Sequence, residues 1–487
     1  MNTFNLVENP WIPVRYLDGR NALVSLETAF RECADIADLD CAPHERISLM
    51  RLLVCITQAE LGAPDTPDDW DGFGDDLESR APAYLRRADI FPHFNLFGDG
   101  PRFLQVGGLV PDAKNRESTS WIVFHLATNN NYTLFDHHGG KEREQPTDLL
   151  ARSILAFQNF SPPIGQHTEY GFCSEKNALH TLLIGDSLKD TIILNCLDTI
   201  TIAENFRGGM GGPVWEARGS TTQNSNESYL KRLVPLHRRL WFEGRSTLLK
   251  DRVGVHYPNF KDTSIREFSE CVLTAKDTRF LLRADPSKKI WRDLLCLTVE
   301  KAATGNEQHS PPLNIQSHIV DFEERQRLSI WAGALIFENT ASLVMSLEST
   351  ATIPKELFSC DGRRVYQAGI EWAGRGSDLV KKAVSGYYRD SEAKRKTPEK
   401  QIPFEKSLSA FWTALDQQFE RTLFPIIQNP DLRSGLSFGE GTDLWTLAVR
   451  RAARDAYESV CPRQTPRQLQ AYAAGLKVLN PKPKKKK

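Results

Sequence analysis

The sequence predicts an α+β fold: a large mixed α/β N-terminal domain followed by a C-terminal antiparallel four-helix bundle. Its 487 residues leave room for two or three domains. Strand and helix patterns alternate over residues 1–355, whereas the patterns over residues 356–480 are helical. The boundary is therefore predicted near residue 355, and residues 481–487 form a basic tail.

The N-terminal elements follow from local patterns. Residues 11–17 and 22–26 read as strands on either side of Asp18-Gly19, which predicts a β-hairpin. Residues 44–61 carry apolar side chains at helical spacing, which predicts a helix. The acidic stretch 63–80 is rich in Asp, Pro and Gly and is predicted to be a surface loop.

The middle of the chain mixes both kinds of pattern. Apolar runs predict strands at 121–124, 191–194 and 279–283. Helical patterns cover 147–160 and 288–302. The long polar connections between them lie at 127–146, 161–175, 204–228 and 303–317. Because such long loops are uncommon in a compact domain, these segments are candidates for function.

The predicted bundle rests on four helical segments with polar breaks between them. Two segments are defined by apolar stripes at a spacing of three or four residues: Leu408, Phe411, Leu415, Phe419, Leu423 and Trp445, Ala448, Ala452, Ala456, Val460. Residues 365–388 and 468–479 are the other two.

Charge is unevenly distributed along a nearly neutral chain. The net charge is −1, but residues 356–487 hold 24 Lys and Arg against 15 Asp and Glu, and the remainder holds 37 against 47. This indicates either a face for an anionic partner or a solvated basic helical surface. No apolar run is long enough to span a membrane, and the nine dispersed cysteines favour a reducing cytoplasm.

Three segments contain patterns that also occur in enzymes. Ser437 lies in a GxSxG match, but the preceding residues 428–433 predict a loop between helices rather than the strand of a nucleophile elbow. His137 and His138 could belong to a metal site, but the supporting carboxylate motifs are lacking. The glycine-rich stretch 208–213 lacks the context of a phosphate loop. No enzyme activity, metal or cofactor is predicted.

Two loops carry residues suited to nucleic acid. The first, 127–141, combines asparagines with Tyr132 and Phe135, and unpaired bases stack on aromatic rings. Alternatively, one of these rings pins the loop to the core. The second follows a predicted helix and contains Gly165, where the bare main chain could approach a ligand closely. Alternatively, it is a simple helix stop.

Several patterns together resemble the CasA family, the large subunits of type I-E CRISPR Cascade complexes. The most specific is the opening Asn9-Pro10-Trp11-Ile12-Pro13-Val14. Weaker similarities lie at 52–56, 127–129, 191–197, 213–216 and 239–242. The resemblance implies a non-catalytic DNA-recognition subunit beside CRISPR RNA and other Cascade subunits. Its further partners would be the double-stranded target, the displaced strand and a helicase-nuclease that it recruits.

The resemblance also implies particular residues. The loop near the RNA handle matches Asn129, Asn130 and Asn131, with either Tyr132 or Phe135 as the functional aromatic. The segment facing the minor groove of the motif that flanks the target matches Ile164, Gly165 and Gln166. A minor-groove lysine matches Lys261, with Lys250 as the alternative.

The family's hairpin wedge falls at residues 338–341; Asn339 and Thr340 are its candidate residues, with Thr340 at the tip. A wedge keeps bases apart once they are unstacked. The basic bundle would contact the DNA backbone, and its candidates are Arg363, Arg364, Lys381, Lys382, Lys394, Arg395 and Lys396. Two other functions remain open: a hydrolase using Ser437 or a His137/His138 metal site, and a scaffold that binds only proteins.

Overall fold

The computed structural model describes residues 3–126, 143–161, 173, 177–216, 228–255, 267–275, 278–298, 307–318, 327–338, 342–391, 402–434 and 436–480. The strands in these residues are β1 Ile12–Tyr16, β2 Asn21–Val24, β3 Ile36–Leu39, β4 Arg116–Ser118, β5 His180–Ile184, β6 Arg238–Phe242, β7 Thr247–Val255, β8 Val272–Ala275, β9 Thr278–Leu281, β10 Glu307–Ser310, β11 Arg327–Glu338 and β12 Ser342–Pro354.

The helices in the same residues are α1 Leu26–Arg31, α2 Pro43–Leu61, α3 Leu77–Leu85, α4 Thr147–Phe160, α5 Leu188–Leu194, α6 Thr199–Asn205, α7 Tyr229–Leu233, α8 Leu294–Thr298, α9 Leu313–Gln316, α10 Cys360–Ser391, α11 Phe404–Asp416, α12 Phe419–Gln428, α13 Pro430–Arg433, α14 Leu444–Glu458 and α15 Pro466–Leu479. Short 3₁₀ turns occur at Pro67–Trp70, Phe91–Phe94, Thr119–Ile122, Ile290–Arg292 and Lys355–Phe358. The mixed α/β class is therefore confirmed.

The described strands form four three-stranded sheets, ordered β2-β1-β3, β10-β8-β9, β12-β11-β5 and β4-β7-β6. The predicted N-terminal hairpin is confirmed, since Ile12 pairs with Val24 in an antiparallel register. Another of these sheets joins β5 to β11, with His180 opposite Gly333. Its third strand, β12, follows β11 along the chain after three residues.

Helix α2 lies at the centre of the first compact unit. Its apolar side chains point in every direction, and most of its residues are buried. It packs against α3, α4, α5 and α7. A helix that is apolar on all sides belongs inside a domain, and α2 fits this rule. Both α2 and its neighbour α4 are correctly predicted.

The chain divides into two compact units, and the second contains Asp285–Leu295 together with the residues from Ile353 onward. In this second unit α10 packs against α11, α12, α14 and α15. Trp291 explains why the short segment belongs here: its ring stacks on Phe419 with centroids 4.4 Å apart, and its indole nitrogen donates to Asp416 at 2.7 Å. The antiparallel four-helix bundle itself stays a prediction.

Two predicted strands are wrong. Residues 121–124 overlap the 3₁₀ turn Thr119–Ile122, and residues 191–194 lie in helix α5. Short apolar runs fit a buried helix as well as a strand. The missed signal is the capping box before α5, in which Ser187 and Asp190 bond each other's main-chain nitrogen.

Three longer predictions are also corrected. The helix predicted at 288–302 is divided into Ile290–Arg292 and α8. The apolar stripe from Leu408 to Leu423 is split between α11 and α12. The loop predicted at 63–80 contains the turn Pro67–Trp70 and the beginning of α3.

Within the described residues, none of the helices combines the length and apolar character that crossing a bilayer requires.

Candidate nucleic-acid interface

Most of the residues predicted to touch nucleic acid lie outside the described part of the chain: Asn129, Asn130, Asn131, Tyr132, Phe135, Ile164, Gly165, Gln166, Lys261, Asn339, Thr340, Lys394, Arg395 and Lys396. Their roles stay predictions. The described residues on either side of these segments nevertheless show where each segment leaves and rejoins the fold.

The segment with Gly165 leaves and returns at one end of α4. Ser161, the first residue after this helix, accepts a hydrogen bond through Oγ from Arg238 Nε at 3.2 Å. The main-chain nitrogen of Cys173 donates to the carbonyl of Asn159, in the last turn of α4, at 2.9 Å. The segment therefore leaves α4 at Ser161, and Cys173 returns to Asn159, two residues before Ser161 at the same end of the helix.

The segment with Lys261 begins and ends beside the first. It begins after Val255, which pairs with Arg238 across the β6–β7 ladder. It ends at Glu267, two residues before Ser269. The ring of His180 joins Ser269 to Cys173, since its Nδ1 lies 3.0 Å from Ser269 Oγ and its Nε2 lies 2.8 Å from the Cys173 carbonyl. Arg238 therefore contacts the residues at which both segments begin, Ser161 and Val255. His180 contacts Cys173 and Ser269, near the ends of the two segments.

The predicted wedge is attached to the same region. Its strand β11 pairs with β5, and Phe337 lies two residues before Asn339. The side chain of Asn177 bonds the main chain of Phe337 at both nitrogen and oxygen. The hairpin therefore begins next to the residues that follow the Gly165 segment.

The predicted RNA-handle loop also begins nearby. Phe124, three residues before residue 127, contacts Phe157 on α4 and Phe337 on β11, with ring centroids 5.9 and 6.4 Å apart. His44 on α2 lies edge-on to Phe124 and Phe160. Four segments that the family resemblance assigns to nucleic-acid contact are thus attached around the end of α4 and the beginning of β5.

A buried ion cluster supports the end of the Lys261 segment. Glu267 pairs with Arg51 from α2 at 2.9 Å and with Arg232 from α7. Burial by itself would raise the pKa of the Glu267 carboxyl, but Arg232 and Arg51 together lower it below its usual range. The carboxylate is therefore ionised, and it fixes the main chain where the segment rejoins the core.

His180 is neutral in this environment. Burial lowers the pKa of its imidazole to about 4, from 6.5. A neutral ring has one donor and one acceptor nitrogen, so Nε2 can donate to the Cys173 carbonyl while Nδ1 accepts from Ser269. A single tautomer therefore satisfies both contacts.

Lys250, the alternative minor-groove lysine, is already engaged. Its ammonium lies 2.7 Å from Glu117 and 4.3 Å from the ring centre of Trp121. Its side chain is only 15% exposed. These contacts favour Lys261 as the lysine to test.

The described basic residues of α10 are Arg363, Arg364, Lys381 and Lys382, together with Arg375 and Arg389. Both lysines and Arg364 are exposed, and Arg364 pairs with Asp361 at 3.2 Å. They remain available for contact with a polyanion, and that contact stays a prediction.

The described structure gives little support to a hydrolase that uses Ser437 or a metal site. Ser437 is exposed in the connection between α13 and α14, so it lacks the preceding strand of a nucleophile elbow. No group of three His, Cys, Asp or Glu side chains in the described ranges could hold a metal ion, and His137 and His138 lie outside those ranges.

Sequence reasoning missed Arg51, Asn177, His180 and Glu267. For Arg51 a signal was present, because a charged residue inside the apolar run of α2 requires a buried partner. The identity of that partner could not be read from the chain.

The chain is similar to one family of proteins in both sequence and fold. A family model described as CRISPR-associated protein Cse1 matches residues 5–456. The CRISPR-associated protein CasA/Cse1 of Thermus thermophilus is 25% identical over 488 residues, covering 94% of this chain and 92% of that protein. A crystal structure of Thermus thermophilus CasA resembles this fold with a TM-score of 0.76 at 19% identity, covering 98% and 99% of the two chains. A chain from a CRISPR RNA-guided surveillance complex gives a TM-score of 0.71 at 16% identity, covering 99% and 100%.

Proposed function

The chain belongs to the CRISPR-associated Cse1 family, the large subunits of Cascade, and from this premise we propose that it recognises the motif flanking a DNA target and helps to open the duplex. Guide RNA pairing would read the bulk of the target sequence, and this subunit would read only the flank. It would break no covalent bond itself and would recruit the helicase-nuclease that degrades the DNA.

One observation carries the proposal: the segments with Gly165, Lys261 and Thr340 are attached side by side. The flanking motif lies directly next to the first base pairs that must separate. A protein that reads the motif and separates those pairs therefore needs its reading loops and its wedge in one place. Their common attachment around α4 and β5 meets this need.

The residue types suit the proposed contacts. The minor groove is about 6 Å wide and admits main chain and single side chains, which fits Gly165 and Lys261. Unstacking a base step costs a few kcal/mol, so an inserted tip that holds the gap open assists strand separation. Thr340 is a short tip residue. The loop with Asn129 to Phe135 would anchor the subunit near the RNA handle through stacking and amide hydrogen bonds.

Reconstitution with guide RNA and a library of flanking sequences tests the proposal. Gly165→Ala and Thr340→Gly should reduce discrimination between properly and improperly flanked targets. Gly100→Ala is the matched control, because a Cβ at Gly100 would meet no atom within 4 Å. If complexes with and without this subunit discriminated flanks equally, the proposal would fail.

The same reconstitution addresses the two other functions. A protein-only scaffold would leave duplex binding unchanged when the subunit is omitted. A hydrolase would give serine-directed labelling at Ser437 or metal-dependent phosphodiester cleavage that is lost on changing His137 and His138. We expect neither reaction.

A further inference from the structure

Asn177 has an unusual main-chain conformation. Its φ angle is +61°, a left-handed conformation that non-glycine residues rarely adopt and that asparagine tolerates best among them. The surrounding main chain fixes it there. The carbonyl of Asn177 accepts from the nitrogen of Ala284 at 3.0 Å, and the nitrogen of Leu179 donates to the carbonyl of Leu282 at 2.9 Å.

The side chain of Asn177 binds the main chain of β11. Its Oδ1 accepts from the Phe337 nitrogen at 2.9 Å, and its Nδ2 donates to the Phe337 carbonyl at 3.3 Å. The described β5–β11 ladder ends with His180 opposite Gly333. The amide of Asn177 thus continues the pairing toward the hairpin tip, where it stands in for the main chain of a longer strand.

Phe337 is itself firmly held. The residue is 8% exposed, and its ring lies 6.4 Å from the ring of Phe124, measured between centroids. Only Glu338 separates it from the predicted wedge residues Asn339 and Thr340. Because both the ring and the main chain of Phe337 are held, the position at which the hairpin begins is more closely defined than at a free strand end.

We propose that Asn177 is a positioning residue that couples the flanking-motif segment to the hairpin wedge. It directly follows the 174–176 stretch at the end of the Gly165 segment, and it clamps the strand that leads to Thr340. The clamp on Phe337 would thereby fix where the hairpin begins, next to the residues that follow the flanking-motif segment. This inference rests on the proposed function and adds a link between its two steps.

The test measures duplex opening in the assembled complex with guide RNA. Targets carry 2-aminopurine at the first paired positions, and its fluorescence rises when the base unstacks. One target is fully paired, and a second has those first positions mismatched and so already open. Wild type is compared with Asn177→Asp and Asn177→Gly, and thermal unfolding is recorded for each variant.

The two substitutions separate the clamp from the strained backbone. Asn177→Asp keeps the side-chain size and the φ strain, but a carboxylate oxygen then faces the Phe337 carbonyl. Asn177→Gly removes the side chain and its two hydrogen bonds but relieves the strain at positive φ, so the relief partly offsets the loss of stability. Asn480→Gly is the control, since it also removes a side-chain bond to a carbonyl, that of Leu476.

We expect both Asn177 variants to open the fully paired target about tenfold more slowly, as the loss of about 1.4 kcal/mol from two hydrogen bonds would produce. On the mismatched target both should match wild type. The inference is overturned if either variant opens the paired target at the wild-type rate, or if both are equally slow on the mismatched target. Loss of flank discrimination on removing the subunit, together with normal Asn177 variants, would reject this inference and leave the proposed function intact.

Discussion

Arg51 and Glu267 form a fully buried ion pair, 2.9 Å long, between residues 216 positions apart in the chain. Arg51 also donates to the carbonyls of Leu233 and Arg232. The pair joins the central helix α2 to the point where the Lys261 segment returns to the core. The stability of this cluster therefore decides how firmly that end of the segment is held.

Replacing Glu267 with Gln should destabilise the protein by about 3 kcal/mol, because it removes the carboxylate that pairs with two buried guanidinium groups. Chemical denaturation measures the change. Arg80→Met is the control, since its pair with Glu60 is partly exposed to solvent and should contribute about 1 kcal/mol or less. Equal effects for the two variants would contradict the structural role of the cluster.

The protein should lose stability as pH falls from 6.5 toward 4, in part through His180. Its pKa is about 4 when folded and near 6.5 when unfolded, so the unfolded chain binds more protons in this window. Above pH 6.5 His180 is neutral in both the folded and the unfolded chain, so its titration no longer lowers the stability. His180→Gln keeps an amide donor for Cys173 and removes the titration, so the slope of stability against pH should fall by up to about 1.4 kcal/mol per pH unit. An unchanged slope would count against a buried neutral ring.

Two glycines of α10 should respond oppositely to alanine. At Gly376 a Cβ would lie 2.7 Å from Val449 and 3.1 Å from Phe411, so Gly376→Ala should cost about 1–3 kcal/mol. At Gly374 nothing lies within 4 Å, and Gly374→Ala should stabilise the helix by up to about 1 kcal/mol. Urea unfolding of both variants checks the pair. The same sign for both would rule out the helix packing described here.

Lys261→Ala and Lys250→Met should have separable effects. Losing Lys261 should weaken discrimination of flanking motifs without changing thermal stability. Losing Lys250 should lower stability by about 1 kcal/mol, because its contacts with Glu117 and Trp121 disappear, and it should leave discrimination intact. Melting curves and flank-library binding on both variants provide the comparison, and a reversed pattern would assign the groove contact to Lys250.

Neutralising Lys394, Arg395 and Lys396 should weaken binding of the displaced strand regardless of its sequence. Each phosphate contact on single-stranded DNA contributes about 0.7 to the slope of log affinity against log salt, so three contacts should reduce it by about 2. The control removes the same charge at three exposed lysines of the second unit, Lys355, Lys406 and Lys477. A salt slope that does not change in the triple variant would exclude these residues as backbone contacts.

Features set by residues close together in the chain could be predicted from the sequence, whereas features set by contacts between distant residues could not. The hairpin β1–β2 and the helices α2 and α4 are predictable because neighbouring residues set their patterns. Residues 191–194 are misassigned because a four-residue apolar run carries no distinguishing period, although the Ser187 cap is visible in the sequence. Lys261 and the wedge residue Thr340 came from resemblance alone, which offers positions but no geometry.

The sequence by itself determined the local elements, the uneven charge and the family resemblance, because each depends on residues close together in the chain. Only the tertiary structure decided that Ser161, Cys173, Val255 and Ser269 lie around the same strand and helix end. It alone paired Asn177 with Phe337, 160 residues away. Such contacts arise when distant elements pack together to bury apolar surface, and that packing is a property of the whole fold rather than of any one segment.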